Sequence, residues 1–499
     1  MKFRHFSGME LSFAEPEMVQ KHISQIRGTF LVDPIDGTRI RHSGTDSLVA
    51  FIVASGTAEL ASDVVEKAKH HIVDTIAAMI SGLSLDVGKR ALEIVPLLEG
   101  RQEAMVIGSP VRLPFQHAAM VNAMLAHADE TDDSHEKSKF HPGCGIVPAA
   151  LALAERQAAG GRDIIRAVAL GYDVGARVLE ALGPMPLNMA GHASHAMGPL
   201  FGCAAVAACL LGFDASRTRH LLSYAGHEAS GLSCWMSDAD HVQKAFVFGA
   251  MAAKNALFSA LLCEHGWTGC PEVISAERGL LHAYGTGKGG RSLDEPMTLG
   301  DEILHSDIKK WCVGSPIQAC LDSLEALLSS LPSDVEQILS VEVEIQANEV
   351  FIVEARAMPN ISLQHLLALF LVDRELTFDS VHDVDRMHDP RVLAVRKRIS
   401  LIPSIELQEA GGRQAIVRIK MADGRTLRHH TPCVRGTWKN RMSRDEIDAK
   451  AFELVEPVLG RAPARRLLDG LWKLETLTKE QWVALIGITR ELPQPQSPA

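Results

Sequence analysis

Aromatic residues make up only 5 % of the 499 residues, and only three are tyrosines. With alanine plentiful, that scarcity favours closely packed helices over a β-sandwich. The nine cysteines (144, 203, 209, 234, 263, 270, 312, 320 and 433) are odd in number and form no Cys-x-x-Cys. This pattern argues against a disulfide scaffold, a zinc ribbon and the usual iron–sulfur spacing, and a reducing cytoplasm is the expected home. The opening MKFRHFSGMELSFAEPE has no apolar signal core, and no run of about 18 uncharged apolar residues is present, so no membrane association is expected. A basic excess is also missing. The net charge is −11, which excludes a chain that wraps nucleic acid, while an anionic substrate would need a local cationic pocket working against the overall field. The glycine-rich GTGKGG lacks the spacing of a Walker phosphate loop.

What is there is an ordinary globular composition, 46 % apolar and 22 % charged, on a chain too long for one compact core. Residues 1–44 have weak periodicity and read as an extension. From 45 to 299 the pattern is helical. In SDVVEKAKHHIVDTIAAMISG, Val64, Val65, Ala68, Ile72 and Ile76 recur at helical spacing. AYGTGKGGRSLDEP (283–296) marks a boundary. Residues 300–432 read as an α+β domain. Leu339, Val341, Val343 and Ile345 alternate onto one strand face, and Asp423–Gly424 supply a hairpin turn. Residues 433–490 return to helices that pack back on the helical domain, and the tail ELPQPQSPA frays. The fold class is therefore mainly α: a large helical domain from N- and C-terminal segments, with a smaller α+β lid.

One stretch, HADETDDSHEKSKFHPG (127–143), concentrates three histidines and five carboxylates between two apolar helices. A helix C-terminus is electrostatically poor for carboxylates, and a local conflict of that kind marks function. Three readings compete. His127, Asp132, Asp133, His135 and His141 have the chemistry of metal ligands, though no recognised motif fits. A solvated acidic loop is the plain alternative. Acid/base chemistry on a small polar substrate is the third. The pairs His382–Asp383 and His388–Asp389 match metal-phosphohydrolase dipeptides but lie in a polar linker and read as surface. Lys244 opens a helix apolar almost all round, either snorkelling or held in a cleft. His192 and His195 precede another apolar helix, where each alone reads as structural. Lys309 and Lys310 alone read as linker caps.

The segment AAMVNAMLAHADETDDSH…HPGCGIVPAALALAE resembles the signature of the MmgE/PrpD family, matched by Ala118, Ala119, Asn122, His127, Ala128, Glu130, Asp132, Asp133, Ser134, His141 and Pro142. The resemblance spans about residues 45–480. It extends through GHASHAMGPLFGCAAVAACLLGFD, the lysine segment around Lys244 and IKKWCVGSPIQACLDSL around Lys309. It implies a helical domain with an α+β lid, a homodimer, no cofactor, no metal and a lyase acting beside a substrate carboxylate. Dehydration of a 2-methylcitrate-like acid is the first expectation. Decarboxylation of an aconitate-like acid or epimerisation of an iminodisuccinate-like acid is the second, and a non-catalytic helical binding protein the third.

By the same resemblance His141 is the general acid/base, oriented by Asp132 or Asp133. Glu130 and Ser134 are pocket residues. Lys244, Lys309 and one of His192 or His195 bind carboxylates. Three departures from the family pattern cover four positions: Cys312 replaces a proline, Ile317–Gln318 replace Thr-His, and His365 stands where the pocket tyrosine is expected. Gln318 and His365 are thus candidate substrate contacts, and such changes alter which substrate fits.

Overall fold

The computed structural model describes residues 44–287 and 289–490. The expected extension (but for Gly44) and the frayed tail lie outside the described residues. The longer helices of the first half are α1 (Gly44–Ser55) and α2 (Ser62–Gly82), then, after a two-residue hairpin β1 (Ala104–Met105) and β2 (Arg112–Leu113), α3 (Phe115–Ala126), α4 (Gly143–Gln157), α5 (Gly161–Leu182), α6 (Ser194–Leu210), α7 (Ala215–Glu228) and α8 (Val242–Glu264).

The alanine and glycine content sets how these helices meet. A Cβ placed on Gly202 of α6 would lie 2.7 Å from the Gly171 carbonyl oxygen of α5, and one on Gly175 would lie 2.7 Å from that of Gly198. The two backbones therefore touch at two successive turns, which larger residues would prevent. On α2, Val64, Ala68, Ile72 and Ile76 are buried as the spacing predicts. α8 is long and apolar enough to cross a membrane, yet 56 % of that stretch is buried in the fold, as in a core helix. After a first α turn, Val242–Ala245, it passes through a π turn over Phe246–Ala250, where Gly249 lies against the first turn of α4: a Cβ there would meet the Cys144 carbonyl oxygen at 2.8 Å.

The second half adds α9 (Gln318–Leu328), β3 (Ile338–Gln346), α10 (Leu363–Asp373), α11 (Pro390–Arg396), β4 (Ile399–Ser404), β5 (Ala415–Met421), β6 (Thr426–Thr431), α12 (Arg444–Leu459) and α13 (Arg461–Leu471). The four strands form one sheet in the order β4-β3-β5-β6. β3 and β4 are parallel, and the β5–β6 hairpin turns through Gly424 at φ 88°. α9 packs over β5 and β6, and α10 over β4. One expected face is corrected. The register of β3 shifts between Ile338 and Ser340, so Leu339 is turned out and Ile338 is buried in its place beside Val341, Val343 and Ile345. α12 returns to pack on α2, where Lys450 donates to Asp74 at 2.7 Å. The architecture is mainly helical with a small α+β region.

Candidate active site

α3 is apolar on nearly every side and buried, so its C-terminus delivers the following residues into the interior. His127 ends the helix, and residues 128–135 are buried, contrary to a solvated loop. The loop is pinned from outside by Asp133. Its Oδ1 accepts from the Gly143 N–H at the start of α4 (2.8 Å), while Oδ2 meets His71 Nδ1 (2.6 Å) and accepts from the Tyr172 hydroxyl (2.5 Å).

On the other side, Asp132 lies between two imidazoles. Oδ2 is 2.9 Å from His127 Nδ1, and Oδ1 is 3.2 Å from His141 Nδ1 and 3.5 Å from Lys309 Nζ. Glu130 is paired with Lys244 and has Lys309 Nζ 3.7 Å away. Lys309 Nζ also donates to the Glu130 carbonyl at 2.7 Å. Phe248, in the π turn of α8, is the central ring. His127 and His195 stack on it at 4.6 and 4.3 Å, and the Lys244 ammonium stands 5.0 Å above it. His141 is 5.1 Å from the His127 ring and 5.5 Å from that of His195.

These groups change one another's charge. Burial pushes the Glu130 and Asp132 carboxyls up, but the combined pull of the ammoniums and imidazoles holds both well below the usual range, so both are ionised. Burial pushes His141, His195 and His241 down, leaving neutral rings at pH 7 that can each donate one hydrogen bond and accept another.

Of the residues the sequence singles out, Glu130, Asp132, His141, His195, Lys244 and Lys309 come together. His195, not His192, faces the cluster; His192 packs edge-on against Tyr284 at 5.0 Å. Four others are elsewhere. Asp133 serves the α4 N-terminus, because neighbouring residues on an extended loop point to opposite sides. The Ser134 hydroxyl accepts from Arg413 at 3.1 Å. Gln318 spends both ends of its amide on the backbone of Trp311 and Val313. His365 is fully buried on α10, pushed down to about 4 by burial, and no hydrogen bond or ion pair ties it to the cluster. Of the five metal-ligand candidates, Asp133 and His135 turn away, His135 to Glu302 at 3.3 Å. The donors of His127, Asp132 and His141 remain within 4.8 Å of one another, with the Lys309 ammonium beside them.

Sequence reasoning missed Phe248, His241, whose ring is 5.0 Å from that of His127, and Trp235, which stands edge-on 5.0 Å from His195. Trp235 and Phe248 look like ordinary core aromatics, and the only signal for His241 is its place one turn before Lys244. His382 is also not surface: its Nε2 meets Asp129 Oδ2 at 2.9 Å.

A helical scaffold enclosing ionised carboxylates, ammoniums and neutral imidazoles in one buried cluster has the build of an acid/base site. The MmgE/PrpD N-terminal domain matches residues 46–291 and the MmgE/PrpD C-terminal domain residues 311–476; the chain belongs to the MmgE/PrpD family. Among curated relatives, the cis-aconitate decarboxylase-like protein oryM of Aspergillus oryzae is 26 % identical over 87 % of this chain and 94 % of its own length. The cis-aconitate decarboxylase of Aspergillus terreus is 25 % identical over 85 % and 91 %, and that of Homo sapiens 24 % over 87 % and 92 %.

Proposed function

We propose that this chain is a cofactor-free lyase that decarboxylates an aconitate-like tricarboxylate. The observation that carries the reading is the convergence of Lys244, Lys309, His141 and His195 around the ionised pair Glu130 and Asp132. The ammoniums meet the substrate carboxylates; Glu130 and Asp132 balance them in the empty site, so a net positive field arises only as an imidazole takes up a proton on binding. Decarboxylation of an alkene tricarboxylate with migration of the double bond shifts two electron pairs along three carbons. The C–CO2 bond breaks into a new C=C, the old C=C takes up a proton, and CO2 leaves. His141, beside Asp132, is the proton donor. It is neutral in the empty site, and an incoming polyanion draws a proton onto it.

The names of the relatives put decarboxylation ahead of dehydration, the sequence's first expectation. Dehydration of a 2-methylcitrate-like acid is the second reading, favoured by Glu130, whose ionised carboxylate could serve as base for a proton next to a carboxylate.

The experiment is incubation with cis-aconitate, 2-methylcitrate, citrate and iminodisuccinate in heavy water, followed by NMR. The expected result is CO2 release from cis-aconitate with one deuterium on the former alkene carbon. Neither turnover nor exchange with any of the four would remove the reading. Turnover should also survive EDTA; loss of turnover that one divalent ion restores would place a metal on His127, Asp132 and His141.

A further inference from the structure

His241 lies immediately before α8, and three observations about it converge. Its backbone is left-handed, φ 65° and ψ 1°, in a residue with a Cβ. A side chain rarely adopts that conformation, and it persists where the surroundings impose it. Its ring is 4 % exposed, yet neither Nδ1 nor Nε2 has a hydrogen-bond partner. Unmet buried polar atoms are destabilising; His365 shares this feature but stands apart from the cluster, so it is the position of His241 together with its unmet nitrogens that singles it out. Finally, the ring points into the cluster. Nδ1 lies 3.9 Å from Glu130 Oε1, too far for a hydrogen bond, and the ring is 5.0 Å from that of His127. His127 Nε2, Asp132 Oδ1 and His141 Nδ1 likewise lack a well-aligned partner. The unmet atoms thus gather on one spot, which is the pattern of a polar ligand's place.

The local chain explains how the ring is held there. The Asp238 carboxylate accepts from the Lys244 N–H at 2.8 Å and closes the turn ahead of α8, so His241 and Lys244 approach Glu130 Oε1 from successive turns.

We propose that His241 is a catalytic residue that touches the substrate, the single N–H of its neutral ring donating to the substrate carboxylate that Lys244 neutralises. The inference rests on the reading of this site as a polycarboxylate lyase. A neutral ring suits the task, since it adds a directed N–H without a third buried positive charge beside the two lysines.

The test uses H241G and H241N, residues that accept a left-handed backbone. Both should fold with a Tm equal to or above that of the wild type, because the strain is relieved. At the same time kcat/KM should fall by about 100-fold, with a large part restored to H241G by tens of millimolar imidazole. Calorimetry with propane-1,2,3-tricarboxylate, a non-reacting probe, should show binding at least about tenfold weaker in both variants. Activity and probe affinity within about threefold of wild type would overturn the inference, as would a Tm that falls with activity without imidazole rescue. The proposed reaction fails separately, if the wild type binds the probe but turns over no candidate acid; the probe affinities of the variants then still decide the role of His241. A wild-type chain that neither binds nor reacts would overturn both.

Discussion

His141 and Lys309 both belong to the cluster, yet their removal should read out differently. His141 contacts Asp132 at one nitrogen and otherwise meets rings. H141A should therefore lower kcat by about 10²–10⁴ while the unfolding midpoint moves little; an equal loss of both would assign it to structure. Lys309 has a fully buried side chain and holds the Glu130 carbonyl and both carboxylates. K309A would leave buried charges under-compensated at a cost of about 3–5 kcal/mol, so urea unfolding should shift strongly as well as activity. Unchanged stability would show that Lys309 is not the clamp described. At this scale the sequence carried much of the site, because the spacing from His127 to His141 brings chemistry-bearing residues in one short segment. It could not separate Asp132 from Asp133. Which of two adjacent acids faces the cavity depends on where His71 and Tyr172 stand, and both come from other helices.

Two contacts at element level bear most of the positioning. α4 starts on the Asp133 carboxylate, and α5 and α6 touch through glycines. In G202A, the added methyl would sit 2.7 Å from the Gly171 carbonyl oxygen and 2.6 Å from Ile146 Cδ1. The side chain can move; the backbone oxygen, at the centre of a helix crossing, cannot without parting the helices. The expected loss is about 1–3 kcal/mol of unfolding free energy, measured by denaturant titration, and a neutral result would mean that the crossing is looser than drawn. Helices and the β5–β6 hairpin were legible from apolar periodicity and from Asp423–Gly424. The shift that turns out Leu339 was not, because Ile338 and Leu339 are equally apolar and only pairing with β5 decides between them.

Across the whole molecule, the site loop is tied to the α+β region by Asp129 and His382, a contact the sequence could not reveal because His382 reads as polar surface and lies in the second half of the chain, far from Asp129. His382 Nδ1 is 2.7 Å from the Phe378 carbonyl and Nε2 is 2.9 Å from Asp129. These two close partners are acceptors, while the Asn360 amide nitrogen stands farther off at 3.4 Å, so both ring nitrogens carry hydrogen and the ring is an imidazolium. Burial pushes it down, but the Asp129 carboxylate, the Phe378 carbonyl and Asp379 together raise it above its ordinary 6.5. Asp129 is held below its ordinary 3.8, where burial is outweighed by His382 and Thr131. The signs follow from linkage. A raised histidine stabilises fully below 6.5 and loses that contribution as pH climbs through its folded value. A lowered carboxylate stabilises above 3.8 and loses it as pH falls through its folded value. The stability difference between wild type and H382Q should therefore be widest at mildly acidic pH, on the order of 3 kcal/mol, and shrink on the alkaline side. Other buried titrating groups are common to both proteins and cancel in the difference. A gap that stays constant from pH 5 to pH 9 would mean that the ring is not charged in the folded protein, and that the loop carrying Glu130 and Asp132 is held without it, by Lys309, Lys450 and the contacts of Asp133.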